Sequence, residues 1–481
     1  MVNKRPSLED VFSPASVAVV GANEAKSGRS IYGRRAVECL KEACFPVIYP
    51  VNPRHTEVLG LPCYPSLSAV PGNIDHAIIA IPAESALTVL DECAAKGVKS
   101  VHIFTAGFSE SGDGHRAELE RALLQKARSG NFRIIGPNCM GIFVPGSRLN
   151  TWRDVPLEPG PIAVLSQSGG FAEDIPYYGD LRGLRFSKVV SYGNGLDVDE
   201  SELLEYFAQD VETEIIAAYI EGVKDGRRFI KALKEAAARK PVVIYKGGAT
   251  RAGKRAAQGH TASLAGATDI FQTVCRQTNV IQVNNLDEML DMLVALRFTR
   301  PFPRSTGAGV VGRGGGISVL SGDEIELSGL KLPLLSAEVQ TELKKILPVP
   351  GSIFGNPVDS SALTSPEAIL PTMRLVGQVA DISILVYHLG FHPSSRWGDG
   401  RLASPDVLKA LTDALSQAQQ SMGKPVIVAL HPAPALAEMK DFLAAQEAFV
   451  QAGFPVFYSM RQAGTAMARL IAWNNRRNTA R

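Results

Sequence analysis

Val17-Ala-Val-Val-Gly-Ala-Asn-Glu-Ala-Lys-Ser-Gly-Arg-Ser30 joins a β-branched run to a small-residue loop and the start of a helix. That strand–loop–helix order opens a doubly wound α/β sheet, and its loop lets backbone N–H groups and a helix N-terminus approach a phosphate. The glycines, Gly21 and Gly28, do not complete a GxGxxG pattern, so the stretch also fits a turn that binds nothing.

The same alternation continues outward. Short β-branched runs predict strands at Ser16–Val20, Val47–Tyr49, His76–Ile81, Ser100–Phe104 and Phe132–Ile135, with helical patterns at Ala86–Lys96 and Gly114–Ala127 between them. The Pro/Gly-rich Val155–Pro161 reads as a linker. Strands restart at Ile162–Leu165, Phe186–Val190, Ile215–Tyr219, Val242–Tyr245 and Val280–Val283, and a second break falls at Thr299–Arg304. Beyond it come Gly309–Val311, an amphipathic segment at Ser336–Leu347, and runs at Ile382–Tyr387, Pro425–Leu430 and Pro455–Tyr458. The expectation is three doubly wound parallel-sheet domains, at 1–150, 158–298 and 305–481.

Composition narrows the class. A chain of 481 residues with 45% hydrophobic and 20% charged residues reads as a soluble globular protein. A net charge of +2 with no Lys/Arg block gives no field for nucleic acid. No apolar run approaches the roughly 18 residues of a membrane span, and the charged opening 1–10 has no apolar core behind it, so it does not read as a signal peptide. The six cysteines lack CxxC spacing, which speaks against zinc, a redox dithiol or a disulfide framework and fits a reducing cytoplasm. No metal site is expected.

An NAD site wants an acidic residue at the end of the second strand. Here that strand runs into Tyr49-Pro-Val-Asn-Pro-Arg54, with no acid and with Arg54 following, which suits a ribose bearing an extra phosphate: NADP or CoA. The later strands end in Ala80-Ile-Pro-Ala83, Phe104-Thr-Ala-Gly-Phe-Ser-Glu110 and Gly136-Pro-Asn-Cys-Met-Gly141, turn-rich loops along one sheet edge. Residues expected against the ligand are Gly21, Asn23, Ser27 and Gly28, then Asn52, Pro53 and Arg54, and finally Ile81, Pro82, Thr105, Ala106, Asn138 and Cys139.

In the second domain, Leu165-Ser-Gln-Ser-Gly-Gly170 offers the Ser166 and Ser168 hydroxyls and the free N–H groups of a helix opening at Gly169 and Gly170. It equally fits a turn with an N-cap. Gly193 and Asn194 lie in a second small-residue loop, and Glu221 ends an apolar strand, either as a solvated strand end or as a purposeful partner. Tyr245–Gly266 then carries glycine at 247, 248, 253, 259 and 266, the cations Lys246, Arg251, Lys254 and Arg255, and His260 between hydroxyl-bearing Thr261 and Ser263. A histidine on a basic, permissive loop is placed to receive phosphate. A surface or hydrogen-bonded structural histidine is the alternative.

Pro50-Val-Asn-Pro53, Thr105-Ala-Gly107 and Gly136-Pro-Asn-Cys139 resemble the CoA-binding domain of succinyl-CoA synthetase α subunits, and more closely the α subunit of ADP-forming acetyl-CoA synthetases. The resemblance covers essentially the whole chain. It implies an N-terminal Rossmann-like CoA-binding domain and two flavodoxin-like domains, phosphorylation at His260, and Glu221 as the carboxylate that orients its ring. It also makes Ser166, Ser168, Gly169, Gly170, Gly193 and Asn194 phosphate-lining, with Gly315 and Gly316 opening a second phosphate-directed helix. Departures are Gln258-Gly259 before the histidine, Ala262 where the family has glycine, and Gly312-Arg-Gly-Gly-Gly316 in place of Asn-Ala-Gly-Gly. Arg313 can touch phosphate or a carboxylate substrate, or face solvent.

Nothing in the chain resembles an ATP-grasp domain, so ADP or ATP with Mg²⁺ is expected on a β subunit, in an α2β2 assembly. Small carboxylic acids, their acyl-CoA forms and phosphate complete the expected partners; Phe171, Tyr177 and Tyr178 either line an acyl pocket or belong to the core. Three rivals remain: a CoA-binding regulatory protein of the same fold, a nucleotide-dependent dehydrogenase, and acyl transfer between CoA and an acid without nucleotide.

Overall fold

Strands covered on both faces need near-continuous apolar runs, and Val17–Val20, His76–Ile79 and Ile162–Leu165 supply them, each residue buried. A computed structural model describes residues 5–26, 31–261, 268–390, 403–432 and 435–479, without the side chains of 257–261 and 437.

The first sheet takes β1 (Val17–Val20), β2 (Ile48–Val51), β5 (His76–Ile79), β6 (Ser100–Ile103) and β7 (Arg133–Ile135), while β3 (Glu57–Val58) and β4 (Leu61–Pro62) form a separate ribbon. Its order is β2-β1-β5-β6-β7, all parallel. The second contains β8 (Ile142–Val144), β9 (Leu149–Asn150), β10 (Pro159–Ser166), β11 (Phe186–Ser191), β12 (Ile215–Ile220), β13 (Val242–Lys246) and β14 (Ile281–Val283), in the order β14-β13-β12-β10-β11-β8-β9. The third contains β15 (Ala308–Gly312), β16 (Ile353–Phe354), β17 (Val358–Asp359), β18 (Ile384–Gly390), β19 (Val426–His431) and β20 (Val456–Phe457), in the order β16-β17-β15-β18-β19-β20.

All three sheets are wound alike. The second parallel strand lies on one side of the first and the later strands on the other, so the order reverses at β1, β10 and β15. Ligands of such sheets lie beyond the carboxyl ends of the strands at this reversal. The three glycine-containing loops of the sequence, at Gly21, Gly169 and Gly315, each follow one of those three strands.

The chain forms two compact units, Met1–Asp180 with Leu184–Leu286 and Leu181–Gly183 with Asp287–Arg481. The first unit holds two sheets, joined by backbone pairing: β8 and β9 lie within 1–150, yet β8 runs antiparallel to β11 of the second sheet. Trp152, fully buried, donates its indole N–H to Met140 O at 2.9 Å and closes this crossing. Arg133 of β7 reaches Asp197 at 3.0 Å and Glu202 at 2.7 Å, both beyond β11. Removing one partner of so buried a pair costs about 3–5 kcal/mol.

The helix Ile31–Glu42 sits against the β1 loop so closely that a methyl group at Gly33 would lie 2.1 Å from Gly21 O. Alanine there would push the helix off the loop.

Candidate active site at the strand ends

The β1 loop is held by its own side chains. Gly21 has φ +91°, and a Cβ there would meet Ala80 O at 2.4 Å. Asn23 donates to Gly21 O at 2.9 Å, and Asn52, at the end of β2, donates to Ala22 O at 2.7 Å. Thr105 donates to Ile81 O at 2.5 Å and accepts on its carbonyl from Asn138 N at 3.0 Å. Asn23, Asn52, Ile81, Thr105 and Asn138 are thus tied into one edge, along which Pro53, Arg54, Pro82 and Ala106 stay exposed. Ser27 and Gly28 lie outside the described residues.

Two expected ligand residues are placed otherwise. Cys139 is buried with its thiol towards Ile103 O at 3.4 Å, and burial raises its pKa well above the ordinary thiol value. It stays protonated in the core. Asn194 spends its amide hydrogens on Glu110 at 2.7 Å and Glu120 at 2.9 Å, and its carbonyl accepts from Asn138 at 3.3 Å. Its side chain therefore pins the two sheets' loops together rather than facing a phosphate. Gly193, at φ +53°, is required there, since a Cβ would meet Asn138 O at 2.2 Å.

Beyond β10, Ser166 is fully buried and donates to Ser168 O at 2.6 Å. Ser168 Oγ accepts from Phe171 N at 3.4 Å, capping the helix Gly169–Asp180. Gly169 packs so tightly on Met140 that a Cβ would lie 2.1 Å from Met140 Cγ, whereas Gly170 opens to free space. Gln167 Oε1 accepts from both Glu221 N at 2.8 Å and Gly222 N at 3.0 Å, which fixes the backbone where β12 ends.

Glu221 is buried, at 6% exposure. Tyr219 donates to its Oε1 at 3.1 Å, while its Oε2 is buried without a hydrogen-bond partner among the described residues. A carboxyl oxygen buried without a partner is costly unless a donor arrives. Sequence reasoning missed both Tyr219 and Gln167. The signal for Tyr219 was present, because residues i and i+2 of an extended strand share a face. Around them Phe171 stacks on Tyr219 with centroids 4.4 Å apart, and Tyr245 closes on both rings at 5.2 Å. Phe171 therefore belongs to this aromatic cluster, and Tyr177 and Tyr178 are half exposed.

The basic segment differs from the expected loop. Arg251–Thr261 is a helix whose start is capped by Thr250, its Oγ accepting from Gly253 N at 3.0 Å. Ala252, Ala256, Ala257, Lys254, Arg255 and Gln258 are good helix formers and outweigh the roughly 1 kcal/mol cost of each glycine. His260 has its backbone in the last turn of this helix; its side chain lies outside the described part of the structure. The helix runs past the turn Ser109–Ser111 of the first sheet's loops. Lys246 does not join the basic surface: it is buried, burial lowers its pKa, and its ammonium donates to Glu221 O and Gly247 O, each at 2.5 Å.

In the other unit, Gly314 (φ +118°) opens the helix Gly315–Leu327, and its N–H donates to Asp359 Oδ1 at 2.6 Å. Burial raises the pKa of Asp359, against the pull of that N–H and of Arg313. Gly315 and Gly316 are exposed at the helix start.

Doubly wound sheets with helix starts at the carboxyl ends of their strands are an architecture suited to phosphate-bearing ligands. Residues 15–145 match a CoA binding domain and residues 159–296 a succinyl-CoA ligase like flavodoxin domain. The II subunit alpha of the ADP-forming acetate–CoA ligase of Pyrococcus furiosus is 40% identical over 79% of this chain and 81% of the relative. The ADP-forming acetate–CoA ligase I of Archaeoglobus fulgidus is 36% identical over 79% of this chain, which spans only 54% of that longer relative. A solved structure of the Ca. Korarchaeum cryptofilum dinucleotide forming acetyl-coenzyme A synthetase 1, in complex with phosphate and ADP, has TM-score 0.79 at 30% identity over 98% of both chains. The chain belongs to the ADP-forming acetate–CoA ligase family and is of its alpha-subunit type.

Proposed function

We propose that this chain is the CoA-binding subunit of a nucleoside-diphosphate-forming acyl-CoA synthetase that works through a phosphohistidine at His260. In the net reaction acyl-CoA and phosphate give acyl phosphate and CoA, the acyl phosphate hands its phosphoryl group to His260 and leaves as the acid, and the phosphohistidine passes the group to ADP. The observation that carries this reading is Glu221, buried, with one oxygen satisfied and the other awaiting a donor.

A neutral imidazole with one ring N–H donated to Glu221 Oε2 keeps its other nitrogen free to attack phosphorus. The helix start at Ser168–Gly170 supplies N–H groups that stabilise phosphoryl oxygens without moving a proton. The first sheet's edge fits CoA: the braced β1 loop presents backbone N–H groups, and exposed Arg54 supplies a cation for the ribose phosphate. Under this reading ADP or ATP and its Mg²⁺ belong to an ATP-grasp β subunit in an α2β2 assembly, and the reaction is cytoplasmic. Among the described residues no helix is long and apolar enough to cross a membrane.

With the β partner and γ-labelled ATP, the chain is expected to form an acid-labile, base-stable phosphoprotein. His260→Ala should lose the label entirely. Label retained in that variant overturns the assignment.

A further inference from the structure

Tyr219 does more than fill the core behind the phosphate-directed helix. We propose that it is the positioning residue of Glu221: its phenol ties up Oε1 and thereby presents Oε2 to the His260 ring. The inference rests on the reading of His260 and Glu221 above.

Three contacts fix the phenol. Phe171, in the first turn of the helix Gly169–Asp180, stacks on the Tyr219 ring at 4.4 Å with planes 20° apart. Tyr245 meets the same ring edge-on at 5.2 Å. Gly247 leaves the remaining space: a Cβ there would lie 2.5 Å from Tyr219 Oη and 3.2 Å from Glu221 Cγ. The ring is thus set by the helix that faces phosphate and by the strand that leads to the His260 helix.

A carboxylate on a rigid strand can still rotate about its last torsion, which is broad and two-fold. One hydrogen bond at Oε1, 3.1 Å long, removes that freedom. The backbone N–H groups of Glu221 and Gly222 are already held by Gln167, so the side-chain torsions are the freedom left to control. Burial and the adjacent Glu221 carboxylate raise the pKa of Tyr219, so the phenol remains a proton donor. Phosphate approaching the helix start and the orienting carboxylate are thereby registered through one aromatic ring.

A double-variant cycle on the reconstituted enzyme, read by rapid-quench phosphorylation from γ-labelled ATP, tests this. Tyr219→Phe keeps the stack and should phosphorylate His260 about tenfold more slowly, the value of a hydrogen bond to a charged group. In the Glu221→Gln background the same change should have no further effect, because its action runs through Glu221. Nitrogen-15 spectra of His260 should show one ring tautomer in the wild type and a mixture in Tyr219→Phe. A wild-type rate in Tyr219→Phe, or effects that multiply in the double variant, overturns the proposal. A wild-type rate in Glu221→Gln removes the role of Glu221 itself, and this proposal with it.

Discussion

The loops after β10 and β15 occupy the same topological position, yet each uses its neighbouring carboxylate differently. In the second sheet Glu221 arrives from β12 with Oε2 unpartnered among the described residues, while the backbone around it is held by Gln167. In the third sheet Asp359 arrives from β17, and its Oδ1 accepts the Gly314 N–H at 2.6 Å. One carboxylate keeps an oxygen open for a donor and the other braces a turn. Identical winding therefore provides an anion-ready helix start twice, and the hydrogen bonds around each decide which of the two also has a carboxylate oxygen left open.

The largest expected effect separates these two acids. Glu221→Gln should slow His260 phosphorylation about 100-fold, the lower range for a positioned acid–base partner. Asp359→Asn should slow it less than tenfold and cost about 1 kcal/mol of stability, read by denaturant unfolding. Equal losses of phosphorylation in the two variants would break the distinction.

A smaller effect is expected at Gly247→Ala, whose methyl group would meet Tyr219 Oη at 2.5 Å. Displacing the phenol should cost about tenfold in phosphorylation with the fold intact by circular dichroism. An unchanged rate would show that Glu221 needs no fixed neighbour.

A further effect, of pH on stability, is shared by both units. His102 in the first sheet has its pKa lowered to about 4 by burial, and His388 in the third is lowered to about 3 by burial and then by His431. Each folded value lies below the unfolded one near 6.5, so their stabilisation is complete above that pH and is lost as pH falls towards 4 and 3. Unfolding free energy should therefore drop below about pH 6. His388→Gln should remove one proton from the slope, measured by urea titration between pH 7 and 4. An unchanged slope would show that this imidazole is not held neutral.

The strand runs were legible because buried parallel strands need apolar, β-branched sequence, and Val17–Val20 or Val242–Ile244 can be little else. The helix start at Gly169 was legible from its place after such a run, whereas the place of Glu221 at a strand end left a solvated end open as well, and only the resemblance singled it out. Three features were not. Arg251–Thr261 carries enough glycine to read as loop, although alanine and long straight side chains decide for helix. Lys246 was counted as surface charge, because burial of an ammonium against backbone carbonyls leaves no mark in composition. Asn194 sits in a loop typical of ligand sites, and only the arrival of Glu110 and Glu120 from the neighbouring sheet shows that its amide is already used.

The ribbon β8–β9 also governs how the chain can be dissected. The Pro/Gly-rich stretch after Thr151 looks like the natural place to cut, but a fragment beginning there would leave β11 without its partner β8. Its bare backbone edge would then be a template for pairing with other copies. A second-sheet fragment that stays monomeric must start before Ile142, upstream of where its composition says the domain begins.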